Sequence, residues 1–198
     1  KFGGVTAIED ISFDIHEGEI RAIIGPNGAG KSSMLNVISG FYVPQQGEVY
    51  FRGTKRAQLK PFEVARQGIA RTFQNIALFE GMSVLDNVMT GRLTHMKAGI
   101  ISQSLWRGPA EREETENREI CERVIDFLEI QSIRKTPVSR LPYGLKKRVE
   151  LARALASEPK LLLLDEPMAG MNVGEKEDMS RFILDVNDEF GTTIALIE

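Results

Sequence analysis

Apolar and polar positions along the chain switch between a period of two and a period of about three and a half. Ile11, Ser12, Phe13, Asp14 and Ile15 alternate strictly, which predicts a half-buried strand. Residues 16–18 turn the chain, and 19–24 predict a second strand ending in Ala22, Ile23 and Ile24. A glycine-rich loop at 25–30 follows directly. Residues 31–39 then read as a helix stopped by Gly40. Short strands are predicted at 47–53 and 69–73.

The middle of the chain is helical. Residues 84–89 predict a short helix, and 96–109 are weakly patterned and read as a loop. Residues 110–128 carry Cys121, Val124, Ile125 and Leu128 on one stripe, with Glu111, Arg112, Glu114, Arg118 and Glu122 as a solvated face. Residues 143–156 place Leu145, Val149, Ala152 and Leu155 inward. The run 161–165 is apolar throughout, as a strand covered on both faces of a parallel sheet must be. A helix at 175–190 and a last strand at 192–198 complete the pattern. Strand–helix units thus flank a helical middle, which predicts an α/β fold around a parallel sheet.

Composition narrows the function. Of the 198 residues 42% are hydrophobic and 27% charged, an ordinary globular balance. The formal net charge of -3 gives no electrostatic reason to expect a nucleic-acid surface. Cys121 is the single cysteine, so no intrachain disulfide forms and a reducing compartment is expected. The longest aliphatic run, 161–164, is far too short to span a bilayer. Lys1-Phe2-Gly3-Gly4 does not read as a signal peptide, and both ends read as cut from a longer chain.

The candidate chemistry begins in the glycine loop. Gly25-Pro26-Asn27-Gly28-Ala29-Gly30-Lys31-Ser32 fits the phosphate-binding P-loop. Its glycines let successive N–H groups point into one concavity, and the following helix adds the partial positive charge of its N-terminus. Lys31 is placed to reach phosphate oxygens and Ser32 to ligate Mg²⁺. The glycines do not have the spacing of a dinucleotide loop. Leu164-Asp165-Glu166 closes the apolar strand with two carboxylates at its C-terminal edge, where ligands of open parallel sheets bind. One carboxylate suits a metal shell and the other a general base. Two weaker features complete the set. Gln74 ends the strand that precedes the helical middle. Leu141-Pro142-Tyr143-Gly144 opens a helix whose Lys146, Lys147 and Arg148 read, in isolation, as a solvated face.

Taken together these motifs resemble the nucleotide-binding domain of ABC-type ATPases over essentially the whole chain. Walker A lies at 25–32, the Q-loop at Gln74, the signature helix at 141–148 and Walker B at 161–166, in the family's order. Phe73-Gln74-Asn75, Leu78-Phe79, Tyr143-Gly144 and Ala169-Gly170-Met171-Asn172 look closest to the ATP-binding subunits of branched-chain amino-acid importers. The resemblance implies a P-loop NTPase core at 1–76 and 158–198, with an antiparallel β part and an α-helical subdomain inserted at 77–157. It implies ATP and Mg²⁺ as cofactors. Phe2 would stack on adenine, while Gly25, Pro26, Asn27, Gly28, Ala29, Gly30 and Lys31 wrap the phosphates. Ser33 would touch the α-phosphate. Ser32, Gln74 and Asp165 would serve the metal, with Glu166 as general base and Gln74 and Lys31 assisting. Family members close head to tail, so Tyr143 and Gly144 would meet ATP held by a second ABC subunit, identical or paralogous. The other implied partners are integral permease subunits and, indirectly, a solute-binding protein. No nucleic acid is expected, and the implied location is the cytoplasmic face of the cell membrane.

Three departures from the family pattern carry consequences. The usual signature serine is Pro142, which offers neither hydroxyl nor N–H. The usual aspartate after Walker B is Asn172. The family's switch histidine follows directly on Ile-Glu, and neither His16 nor His95 matches that place. The expectation is a chain that binds ATP and turns it over weakly. Three further readings stay open at this stage: a soluble ABC ATPase acting on ribosomes or nucleic acid, a P-loop small-molecule kinase, and a lipid or polysaccharide exporter subunit.

Overall fold

The computed structural model describes residues 8–56, 60–72, 74, 76–96 and 109–198. Two compact units form. One comprises residues up to 74 with 160–167 and 183–198, and the other comprises 75–159 with 168–182.

The first unit is built on four parallel strands in the order β1 (Ile20–Ile23), β6 (Thr193–Ile197), β5 (Leu161–Asp165) and β4 (Ile69–Arg71). Ile20 faces Ile194, Leu161 faces Thr193, and Ile69 faces Leu161 along the ladders. All five residues of β5 are buried, as its apolar sequence requires for a central strand. Helix α1 (Lys31–Ile38) covers one face, where Leu35 packs with Leu161, Leu163, Ala195 and Ile197. Helix α2 (Pro61–Arg66) adds Val64 to the same layer. Because the strands are parallel, the segments leaving β1, β5 and β4 emerge at one edge.

Two strand expectations change here. Residues 11–15 form no strand. Alternation suits a pleated surface, but a strand also needs a neighbouring backbone to take its N–H and C=O groups. Ile15 packs against the core, but Ile11 is 50% and Phe13 43% exposed, so the alternation records neither pairing nor a continuous buried face. The expected strand at 47–53 shrinks to β2 (Tyr50–Phe51), paired antiparallel with β3 (Thr54–Lys55). Its two-residue turn, Arg52-Gly53, has φ 50 and 75, the positive values a tight hairpin demands. This pair is the antiparallel β part among the described residues.

The second unit is helical. It contains α3 (Val84–Met89), α4 (Pro109–Phe127), α5 (Tyr143–Ala156) and the first part of α6 (Val173–Phe190). Ser83 caps α3 in a reciprocal box with Asp86. Cys121, Val124, Ile125 and Leu128 are all buried, as the stripe predicts. Burial pushes the Cys121 thiol up to about 11, so it is an inert core group. Gly91 allows the turn after α3 to approach the end of α5. A Cβ there would come within 3.0 Å of the Arg153 carbonyl oxygen.

The cations of α5 do not form a solvated face. Lys147 is buried and lies 4.0 Å from buried Glu150. Lys146 pairs with Glu80 at 3.0 Å. Arg148 pairs with Asp178 at 2.9 Å and lies 4.8 Å from the centroid of the Phe182 ring. The physical reason is that α3, α4 and α6 all pack around α5, so more than one stripe of this helix leaves water.

Candidate functional site

The glycine loop leaves β1 and ends at Gly30, whose φ of 87 starts α1 without a side-chain cap. Gly28 also has a positive φ of 83. A side chain at either position would be strained, which is the physical need for glycine there. The Ala29 N–H donates to Pro26 O at 3.1 Å, closing a tight turn. The Lys31 ammonium folds back over the loop. It donates to the Gly25 carbonyl and, at 3.3 Å, to the Pro26 carbonyl. The cation is therefore held by the first two carbonyls of its own loop. Ser32 is exposed and Ser33 half-buried in the first turn of α1.

The two carboxylates after β5 are treated differently. Asp165 is buried, and its Oδ2 accepts from Arg71 at 2.8 Å. Its Oδ1 is also buried and takes no hydrogen bond among the described residues. Glu166 is half-buried, with φ 48, a left-handed conformation that costs a glutamate about 1 kcal/mol or more. Its N–H donates to Ile197 O at 3.0 Å, which ties this turn to β6. Gln74 Nε2 donates to Glu166 Oε2 at 3.1 Å. Gln74 and Glu166, 92 positions apart, are thus brought together at the sheet edge.

Magnesium fits these donors. An unbonded buried carboxylate oxygen and an exposed hydroxyl are hard ligands. Among the described residues no group of three or more His, Cys, Asp or Glu gathers into a cage. A sparse protein set completed by phosphate oxygens and water is what Mg²⁺ prefers.

Residues 142–144 lie in the second unit. Pro142 is the N-cap of α5 and supplies no side-chain cap, although its carbonyl accepts from the Lys146 N–H at 3.1 Å. Tyr143 is exposed and lies against Gly170, where a Cβ would stand 3.1 Å from Tyr143 Cε1. Gly144 is buried against the Glu175 side chain, and a Cβ there would come within 3.0 Å of Glu175 Oε1 and Cδ. Glu175 and Asn172 exchange hydrogen bonds, each 3.0 Å, at the start of α6. Asn172 thus spends its amide oxygen on capping that helix. Phe2 lies outside the described residues, as do Phe73 and Asn75.

Sequence reasoning assigned no role to Arg71. The signal was available: an arginine inside a predicted parallel-sheet strand must find a buried partner. Its guanidinium reaches Asn36 Oδ1 at 2.6 Å and Ser39 Oγ at 3.1 Å besides Asp165.

A parallel sheet that gathers a glycine loop opening a helix, an Asp-Glu pair and a glutamine at one edge has the architecture of a P-loop NTPase. Residues 8–169 match the ABC transporter family, and the chain belongs to that family. It is an ABC-type ATPase cassette, an ATP-hydrolysing class. LivG of Salmonella typhimurium, a high-affinity branched-chain amino acid transport ATP-binding protein, is 34% identical over 198 residues, covering 100% of this chain and 78% of that protein. BraF of Pseudomonas aeruginosa, with the same description, is 33% identical over 199 residues, covering 100% and 78%. A probable LivG of Methanocaldococcus jannaschii is 33% identical over 197 residues, covering 100% and 76%. Among solved structures, an ATP-binding cassette of an ABC transporter in its ADP conformation superposes with a TM-score of 0.84 at 32% identity, covering 100% of this chain and 76% of that one. A dimeric bacterial ABC transporter cassette superposes at 0.79 with 27% identity, covering 96% and 79%. No helix among the described residues is long and apolar enough to cross a membrane.

Proposed function

We propose that this chain is the ATP-binding subunit of an importer for branched-chain amino acids or a related small polar solute. It works peripherally on the cytoplasmic face of the cell membrane. It pairs with a second cassette and with integral permease subunits, and a solute-binding protein delivers the cargo. The observation that carries this reading is the meeting of the 25–30 loop, Gln74, Asp165 and Glu166 at one edge of the sheet, together with the full-length similarity to LivG and BraF.

The residues divide the work by their chemistry. Backbone N–H groups of 27–31 and the N-terminus of α1 receive the phosphates, with Ser33 at the α-phosphate and Phe2 against adenine. Lys31 exchanges its carbonyl partners, Gly25 and Pro26, for phosphate oxygens, a better-matched acceptor for an ammonium. Glu166 accepts the proton of the attacking water, and Gln74 orients that carboxylate through its amide. Ser32, Asp165 and Gln74 would hold Mg²⁺, which when bound neutralises charge on the phosphates. Tyr143 and Gly144 present the start of α5 to nucleotide on the second cassette.

Affinity purification of the protein from detergent-solubilised host membranes, with mass spectrometry, tests the transport reading. Two integral membrane proteins and a second ATPase are expected. Ribosomal proteins or nucleic acid without a membrane partner would overturn it. Lys31→Ala is expected to abolish ATP binding, and an unchanged affinity would refute the cradle.

A further inference from the structure

Arg71 occupies a position that the activity alone does not explain. Strand register sets it there. Arg71 pairs with Leu163 across the β4–β5 ladder. Asp165 lies two residues beyond Leu163 and so on the same face. That face is the one covered by α1, since Leu163 packs with Leu35. The buried layer between sheet and α1 therefore ends in an ion pair, whose side chains are only 9% and 3% exposed.

The guanidinium does more than neutralise a buried charge. One terminal nitrogen donates to Asp165 Oδ2 at 2.8 Å. The other donates to Asn36 Oδ1 at 2.6 Å and to Ser39 Oγ at 3.1 Å, both at the C-terminal end of α1. The N-terminal end of that same helix carries Lys31 and Ser32. A rigid planar fork thus joins the Walker B carboxylate to the Walker A helix. It also engages one carboxylate oxygen and leaves the other, Oδ1, buried and without a hydrogen bond among the described residues. A carboxylate held in this way cannot rotate both oxygens freely, so Oδ1 is the one left to face an added cation or its water.

We propose that Arg71 is the positioning residue of the magnesium site: it orients Asp165 and fixes its distance from Ser32 through α1. This inference rests on the magnesium reading given above. Lysine at this position would keep the charge but lose the fork, because an ammonium cannot span three acceptors on two elements in the plane a guanidinium offers. Groups that orient a metal ligand from behind typically change metal affinity about 10–100-fold when altered.

The test is a magnesium titration read by fluorescence of mant-ATP bound to the protein, with nucleotide affinity in EDTA measured alongside. Wild type, Arg71→Lys and Asn36→Ala are compared. Arg71→Lys is expected to raise the Mg²⁺ concentration at half effect by about tenfold or more, with affinity in EDTA unchanged. Asn36→Ala, which leaves the ion pair intact, is expected to shift it less in the same direction, and it carries the test if Arg71→Lys does not fold. The inference is overturned if the folded variants titrate like wild type. It is equally overturned if affinity in EDTA falls as much as affinity in magnesium, since Arg71 would then simply support the loop. A wild type that binds mant-ATP identically in EDTA and magnesium would refute the magnesium reading itself.

Discussion

Gly144→Ala is the most informative single perturbation at the start of α5. A Cβ at Gly144 would come within 3.0 Å of Glu175 Oε1 and Cδ and stand 3.1 Å from Cγ. The methyl therefore expels the Glu175 carboxylate. That carboxylate accepts from the Asn172 N–H at 3.0 Å, so its departure removes half of the reciprocal cap of α6, worth about 1 kcal/mol. Crowding of a packed site costs about 1–3 kcal/mol. Against this, alanine in a helix gains about 0.5–1 kcal/mol over glycine. The single variant should be about 1–3.5 kcal/mol less stable. In a Glu175→Ala background the obstacle is gone, and the same change should stabilise by about 0.5–1 kcal/mol. The coupling energy of the cycle is thus about 2–4 kcal/mol, the cap and crowding contributions together. Urea and thermal denaturation of the four proteins measure it, with each kcal/mol moving Tm by about 2–4 °C in a chain of this size. A Gly144→Ala cost that is the same in both backgrounds would refute the reasoning.

Three further outcomes are expected. Glu166→Gln should retain ATP and lose turnover by about 10²–10⁴-fold, measured by phosphate release; normal turnover would move the base elsewhere. Gly91→Ala should lower stability by about 1–3 kcal/mol, because its Cβ meets the Arg153 backbone carbonyl rather than a movable side chain, and an unchanged urea midpoint would refute the close approach. Cys121, with its thiol pushed up to about 11, should resist DTNB at pH 8 until the protein is unfolded. Since the folded thiol holds its proton more tightly than the ordinary 9.0, its contribution to stability is intact below about pH 9 and declines between about 9 and 11. Rapid labelling of the folded protein would refute its burial.

The sequence by itself determined whatever depends on local geometry. Gly28 and Gly30 are needed for their positive φ, so the turn of the glycine loop was legible in eight letters. The uninterrupted apolar run of β5 could only be a strand covered on both faces. The stripe through Cys121, Val124, Ile125 and Leu128 declared the buried side of α4. Tertiary structure decided everything that depends on which elements become neighbours. Residues 11–15 carry a strand pattern yet pair with no described backbone. Lys147 reads as a surface cation and is buried because α5 is packed from several sides. Gln74 meets Glu166 across 92 positions, and Arg71 meets Asp165 across 94, because parallel register sets β4 beside β5. Periodicity records how much of a side chain leaves water; it does not record which partner receives it. The partner is chosen when the sheet assembles, and in this chain that choice joins the turn after β5 to α1 through one arginine.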